Sequence, residues 1–85
     1  MKIAYTPKFV RLYKKLLPAL QEEVDYKIDL FQKDPTIPSL KVHKLHGKLV
    51  GRYSFSVNYS YRIVFTYLSK EEAIFHVIGD HGIYT

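Results

Sequence analysis

Two neighbouring stretches alternate with a strict period of two, and this constrains the fold more than any other feature of the chain. Over residues 52–58, Tyr53, Phe55 and Val57 point one way while Arg52, Ser54, Ser56 and Asn58 point the other. Over residues 61–68, Tyr61, Ile63, Phe65 and Tyr67 oppose Arg62, Val64 and Thr66, after a turn near residues 58–60. A helix would scatter these apolar positions around its axis, so the segment reads as two paired strands. A second turn over 69–72 leads to a third strand over 73–78, which makes an antiparallel meander with one apolar face to cover.

The cover lies upstream. Residues 2–5 are short and β-prone, and Thr6-Pro7 supplies an N-cap followed by proline at the first helical position. Phe9, Leu12, Tyr13, Leu16 and Leu17 then recur at helical spacing, with Lys8, Arg11, Lys14 and Lys15 on the opposite side. Pro18 stops this helix and opens another. Its apolar face is Leu20, Val24, Ile28 and Phe31, with Glu22, Glu23, Asp25 and Asp29 on the rest, and Asp34-Pro35 ends it. So short a connection makes the two helices an antiparallel hairpin. Residues 40–47 form a basic extended or loop segment. The expected architecture is α+β: an N-terminal strand, a helix hairpin, then a three-stranded antiparallel meander with the helices on one sheet face. It forms a single domain over 1–85.

The other sheet face is then expected to be uncovered, polar and basic. The chain carries 13 Lys and Arg against 8 Asp and Glu, a net charge of +5, with eight Tyr and five Phe. That balance suits a polyanion such as nucleic acid, or else a basic surface that is merely solvated. With no cysteine, disulfides and thiolate-bound zinc are excluded, and a reducing cytosol is the expected compartment. No apolar run approaches the roughly 20 residues of a membrane span, and no signal peptide is evident at the start.

Arg62 interrupts an apolar strand, where a guanidinium is placed to clamp a phosphate or simply to face water. His81 and Tyr84 follow the last strand in a stretch unusually rich in functional side chains for a chain end, which suits proton transfer and base stacking, or a plain C-terminal cap. His43 and His46 stand among Lys41, Lys44 and Lys48. Without cysteine or clustered carboxylates they suit phosphate contact or acid-base work rather than a metal, and no metal or cofactor is expected. His76, mid-strand among aromatics, reads as structural. Arg52, Ser54 and Ser56 join Lys41, Lys44, His46 and Lys48 as expected RNA contacts, and Lys8, Arg11, Lys14 and Lys15 either extend that surface or form a solvated helix side.

Taken together, His43-Lys44-Leu45-His46-Gly47-Lys48-Leu49, Gly51-Arg52-Tyr53-Ser54-Phe55, Tyr61-Arg62-Ile63-Val64-Phe65 and Ile78-Gly79-Asp80-His81-Gly82-Ile83-Tyr84 resemble the RelE/ParE toxin superfamily, above all its YafQ-like and YoeB-like ribonucleases. The resemblance implies a toxin of a type II toxin–antitoxin system, an endoribonuclease that enters the ribosome beside 16S rRNA and cuts mRNA by attack of the 2'-hydroxyl, without metal. It implies a cognate antitoxin, with the toxin a monomer inside a toxin–antitoxin hetero-oligomer. By position, Arg62 corresponds to the arginine that stabilises the transition state, His81 to the near-terminal general acid or base, Tyr84 to the terminal aromatic that orients substrate, and His43 to a histidine that assists proton transfer.

This chain departs from the family pattern at its middle strand. Ser54 and Ser56 stand where RelE has two lysines, Ser56 and Ser60 where YafQ-like members have a histidine and an aspartate, and the YoeB glutamate falls near Ser39. These departures leave the general base unassigned, with His43 the leading candidate and Asp80 or His46 behind it. Two other readings stay open within the superfamily: a ParE-like inhibitor of DNA gyrase, and a degenerate member that binds RNA or antitoxin without cutting.

Overall fold

The structure is a computed structural model and describes residues 1–49 and 51–80. Its strands are β1 (Lys2–Tyr5), β2 (His43–Lys44), β3 (Tyr53–Ser56), β4 (Arg62–Ser69) and β5 (Glu72–Gly79), and its α-helices are α1 (Pro7–Lys14) and α2 (Pro18–Lys33). The strands form one sheet in the order β1-β5-β4-β3-β2. The meander and the helix hairpin are as the periodicity predicts. Two additions make the sheet five-stranded and mixed: β1 pairs in parallel with β5, and two residues of the basic segment pair with β3 as an outer strand.

Local chemistry sets each boundary. Thr6 Oγ1 accepts from the Phe9 amide at 3.0 Å, capping α1, and donates to the His76 carbonyl at 2.8 Å, which ties the helix start to β5. Pro18 sits at the first position of α2 and holds Leu17 extended at φ −63°, ψ 149°. Leu17 is consequently 76% exposed and leaves the apolar stripe in which its spacing placed it. The helices run antiparallel, with the Tyr13 hydroxyl donating to Asp25 at 2.7 Å and Phe9 lying beside Ile28 one turn further along. Strand β3 stops at Ser56, before the expected residue 58, because the Asn58 side chain takes the amides of Ser60 and Tyr61 at 2.9 and 2.8 Å and turns the chain.

The core lies between the helices and one sheet face. Phe31 of α2 is fully buried, with ring centroids 4.9 Å from Phe55 and Phe65 and 5.4 Å from Phe75. Burying each such ring contributes about 2–3 kcal/mol. The opposite face is not open along its whole length, as the alternation alone implies. At its middle, Ser54 is 0% and Val64 1% exposed, and Ser56 is 8% exposed. Part of the reason is visible: the Arg62 side chain folds across Ser56, and both serines are too short to rise above their neighbours.

Candidate active site

The β3–β4 turn, the start of β4, the chain around residue 39 and one side of α2 enclose an open cleft of about 540 Å³. The turn dictates where the first functional group stands. Arg62 opens β4 directly opposite Ser56, and its Nη1 donates to Ser56 Oγ at 2.9 Å and to the Asn58 carbonyl at 3.2 Å. Both bonds use one corner of the guanidinium. The Nη2 and Nε edge, which can engage a phosphate through two parallel bonds, takes no acceptor among the described residues.

Lys41 enters from the other side. The Pro38–Leu40 turn is pinned by fully buried Leu40, and Lys41 closes it in the left-handed region at φ 51°, ψ 45°. Lysine at such a backbone position costs about 1 kcal/mol relative to residues that tolerate it. Lys27 of α2 supplies a third cation, and Ser39, Asn58 and Tyr59 complete the described lining, which includes no carboxylate. Three cations line this open cleft, with Glu23 held at its rim against Asn58 as the nearest acid among the described contacts, and the net positive lining makes a site for an anion.

His43 lies just beyond this cleft. It pairs with Ser54 across β2 and β3, so it faces the same side of the sheet as Ser56 and Arg62. Strand spacing and rise put its Cα on the order of 12 Å from that of Arg62, a gap that two long side chains and one phosphate can bridge. Its Nδ1 is 2.9 Å from the Lys41 carbonyl. A carbonyl only accepts, so Nδ1 carries a proton, and in the neutral ring that leaves the lone pair on Nε2, the tautomer needed to take a proton from substrate.

The other expected residues divide clearly. Lys41, Ser56 and Arg62 come together in the cleft, with His43 beside it. Ser54 is fully buried and offers RNA no surface, which corrects its place among the contacts. Lys44 pairs with Tyr53 and so faces away from His43, while His46 and Lys48 are exposed but do not line the cleft. Lys8, Arg11 and Lys14 on α1 and Lys15 at its C-terminal cap are exposed, also outside it. Arg52 lies near His76, whose Nε2 is 2.8 Å from Thr66 Oγ1; burial first, and then the Arg52 charge, hold the His76 pKa below its ordinary value. His81 and Tyr84 lie outside the described residues.

Sequence reasoning missed Lys27 and Tyr59. Lys27 left a trace as a cation in a stretch populated by Glu22, Glu23, Asp25 and Asp29, and Tyr59 as a large aromatic in a turn. Lys27 and Lys41 also bear on the departure at the middle strand. A lysine at position 54 would lie in a fully buried place, and here the cations beside Arg62 come from α2 and from the turn before β2.

No protein-family model matches the sequence, and no curated protein is similar to it at a significant level. Solved structures are. YafQ from E. coli strain BL21(DE3) superposes with a TM-score of 0.79 at 17% identity, over 98% of this chain and 96% of that one. A YoeB/ParE toxin from Agrobacterium tumefaciens superposes with a TM-score of 0.78 at 18% identity, over 95% and 99%. The E. coli DinJ-YafQ toxin-antitoxin complex gives a TM-score of 0.76 at 19% identity, over 96% and 93%. The chain has the RelE-like toxin fold, in the form shared by YafQ and YoeB.

Proposed function

We propose that the protein is the toxin of a type II toxin–antitoxin system and cleaves mRNA on the ribosome by metal-free acid-base catalysis. The observation that carries this reading is Arg62, held by Ser56 and Asn58 in a cleft with Lys27 and Lys41 and with no carboxylate in its described lining.

In the proposed reaction His43 Nε2 takes the proton of a ribose 2'-hydroxyl. The 2'-oxygen bonds to the adjacent phosphorus, and negative charge grows on the non-bridging oxygens. The free edge of Arg62, with Lys27 and Lys41 behind it, stabilises that charge. The bond from phosphorus to the 5'-oxygen breaks, and His81 protonates the departing oxygen. The products are a 2',3'-cyclic phosphate and a 5'-hydroxyl, with Tyr84 orienting the substrate. Neighbours of the same fold have been solved with antitoxins, as in DinJ-YafQ and the YoeB-YefM complex of Staphylococcus aureus, which supports a cognate antitoxin for this chain as well. Its acidic side chains would neutralise the cleft.

Primer extension on a translated message tests the reading. Arg62→Ala and His81→Ala are each expected to slow cleavage at least about 100-fold. Unchanged cleavage in both variants removes the site. Intact messages together with blocked DNA supercoiling by wild-type protein would instead establish the gyrase inhibitor.

A further inference from the structure

Tyr59 stands at the tip of the β3–β4 turn and is 95% exposed, the highest value among the exposed large hydrophobic side chains described. The fold makes no use of its ring. Asn58 holds the turn through its side-chain bonds to the Ser60 and Tyr61 amides, and no ring contact involves Tyr59 among the described residues. Such tips are ordinarily Gly, Asn, Asp or Ser, residues that lose nothing in water.

The tip is also fixed. Besides its turn bonds, Asn58 Nδ2 donates to Glu23 on α2 at 3.3 Å, and the Asn58 carbonyl accepts from Arg62. One residue therefore links the tyrosine's backbone to the guanidinium. Tyr59 lines the same cleft as Arg62, Lys27 and Lys41. A lone exposed ring between Asn58 and Ser60, beside cations, lacks the apolar surround that a protein-docking surface needs. A flat π-face next to an anion clamp matches the combination that binds single-stranded nucleic acid, in which the backbone follows the charge and a base stacks on the ring.

We propose that Tyr59 is a stacking platform for the unpaired nucleobase adjoining the phosphate held by Arg62. This rests on the reading of the cleft as an RNA-phosphate site and adds its base-recognition element. Because stacking accepts any base, Tyr59 sets the requirement for an unpaired base rather than its identity.

The chain has no tryptophan, so Tyr59→Trp introduces a single reporter. Titration with a short oligouridylate is expected to quench its fluorescence, whereas an abasic ribose-phosphate oligomer of equal length leaves it unchanged. Tyr59→Ala is expected to weaken oligouridylate binding roughly 5- to 100-fold, Tyr59→Phe to retain it, and neither to alter binding of the abasic oligomer. If Arg62→Ala weakens both oligomers while Tyr59→Ala weakens neither and the tryptophan is not quenched, the phosphate site stands and stacking is refuted. If Arg62→Ala leaves both oligomers bound as in wild type, the RNA cleft itself is refuted, and the stacking role with it.

Discussion

Lys41 separates stability from function at a single residue. Its left-handed backbone favours glycine, yet the position presents a cation to the cleft and a carbonyl to His43. Lys41→Gly keeps the carbonyl and removes both the strain and the charge. It is expected to raise stability by about 1 kcal/mol, as read by chemical denaturation, while weakening RNA binding several-fold in the same preparation. A variant that loses stability as well would show that the lysine side chain supports the turn. Arg62 was legible in the sequence because a charge interrupting an apolar strand is visible in one dimension. Lys27 was not, since its helix face reads as solvated and only the packing of α2 beside the β3–β4 turn brings it to Arg62. Ser54 failed for a related reason: period two assigns a side to a side chain but says nothing of what covers that side.

At the scale of elements, periodicity found both helices and the meander because each buries a continuous stripe. It could not find the pairing of β2, which is two residues long, nor the parallel partner of β1, whose paired residues lie 70 positions away in sequence, as Lys2 and Glu72 do. The joint between α1 and β5 concentrates in Thr6, whose hydroxyl accepts from the Phe9 amide and donates to the His76 carbonyl. Thr6→Ala removes a cap and a cross-element bond together and is expected to cost about 1–2 kcal/mol in equilibrium unfolding. Thr6→Ser preserves the hydroxyl and should recover most of that loss. The Thr6 amide still donates to the Phe75 carbonyl at 3.1 Å in both variants, so the helix keeps its seat and the measured difference isolates the side chain.

Over the whole molecule, the proposed function turns on which of the positive charges would meet RNA. The net charge of +5 is spread over α1, the segment around β2 and the cleft, and composition treats these groups alike. The structure does not: Lys27, Lys41 and Arg62 share a cleft with no carboxylate in its described lining, whereas Lys8, Arg11 and Lys14 on α1 and Lys15 at its C-terminal cap stand outside it. Counterion release turns that arrangement into a measurable slope. Each single-strand phosphate neutralised contributes about −0.7 to the dependence of log affinity on log salt, so three cations give about −2 for a short oligonucleotide. Lys27→Ala should reduce the magnitude by about 0.7. Converting Lys8, Arg11, Lys14 and Lys15 to glutamine should leave the slope for that oligonucleotide unchanged, because none of the four lines the cleft. An equal loss of slope from both sets would mean that RNA meets a diffuse basic surface, and the cleft would then hold no privileged phosphate.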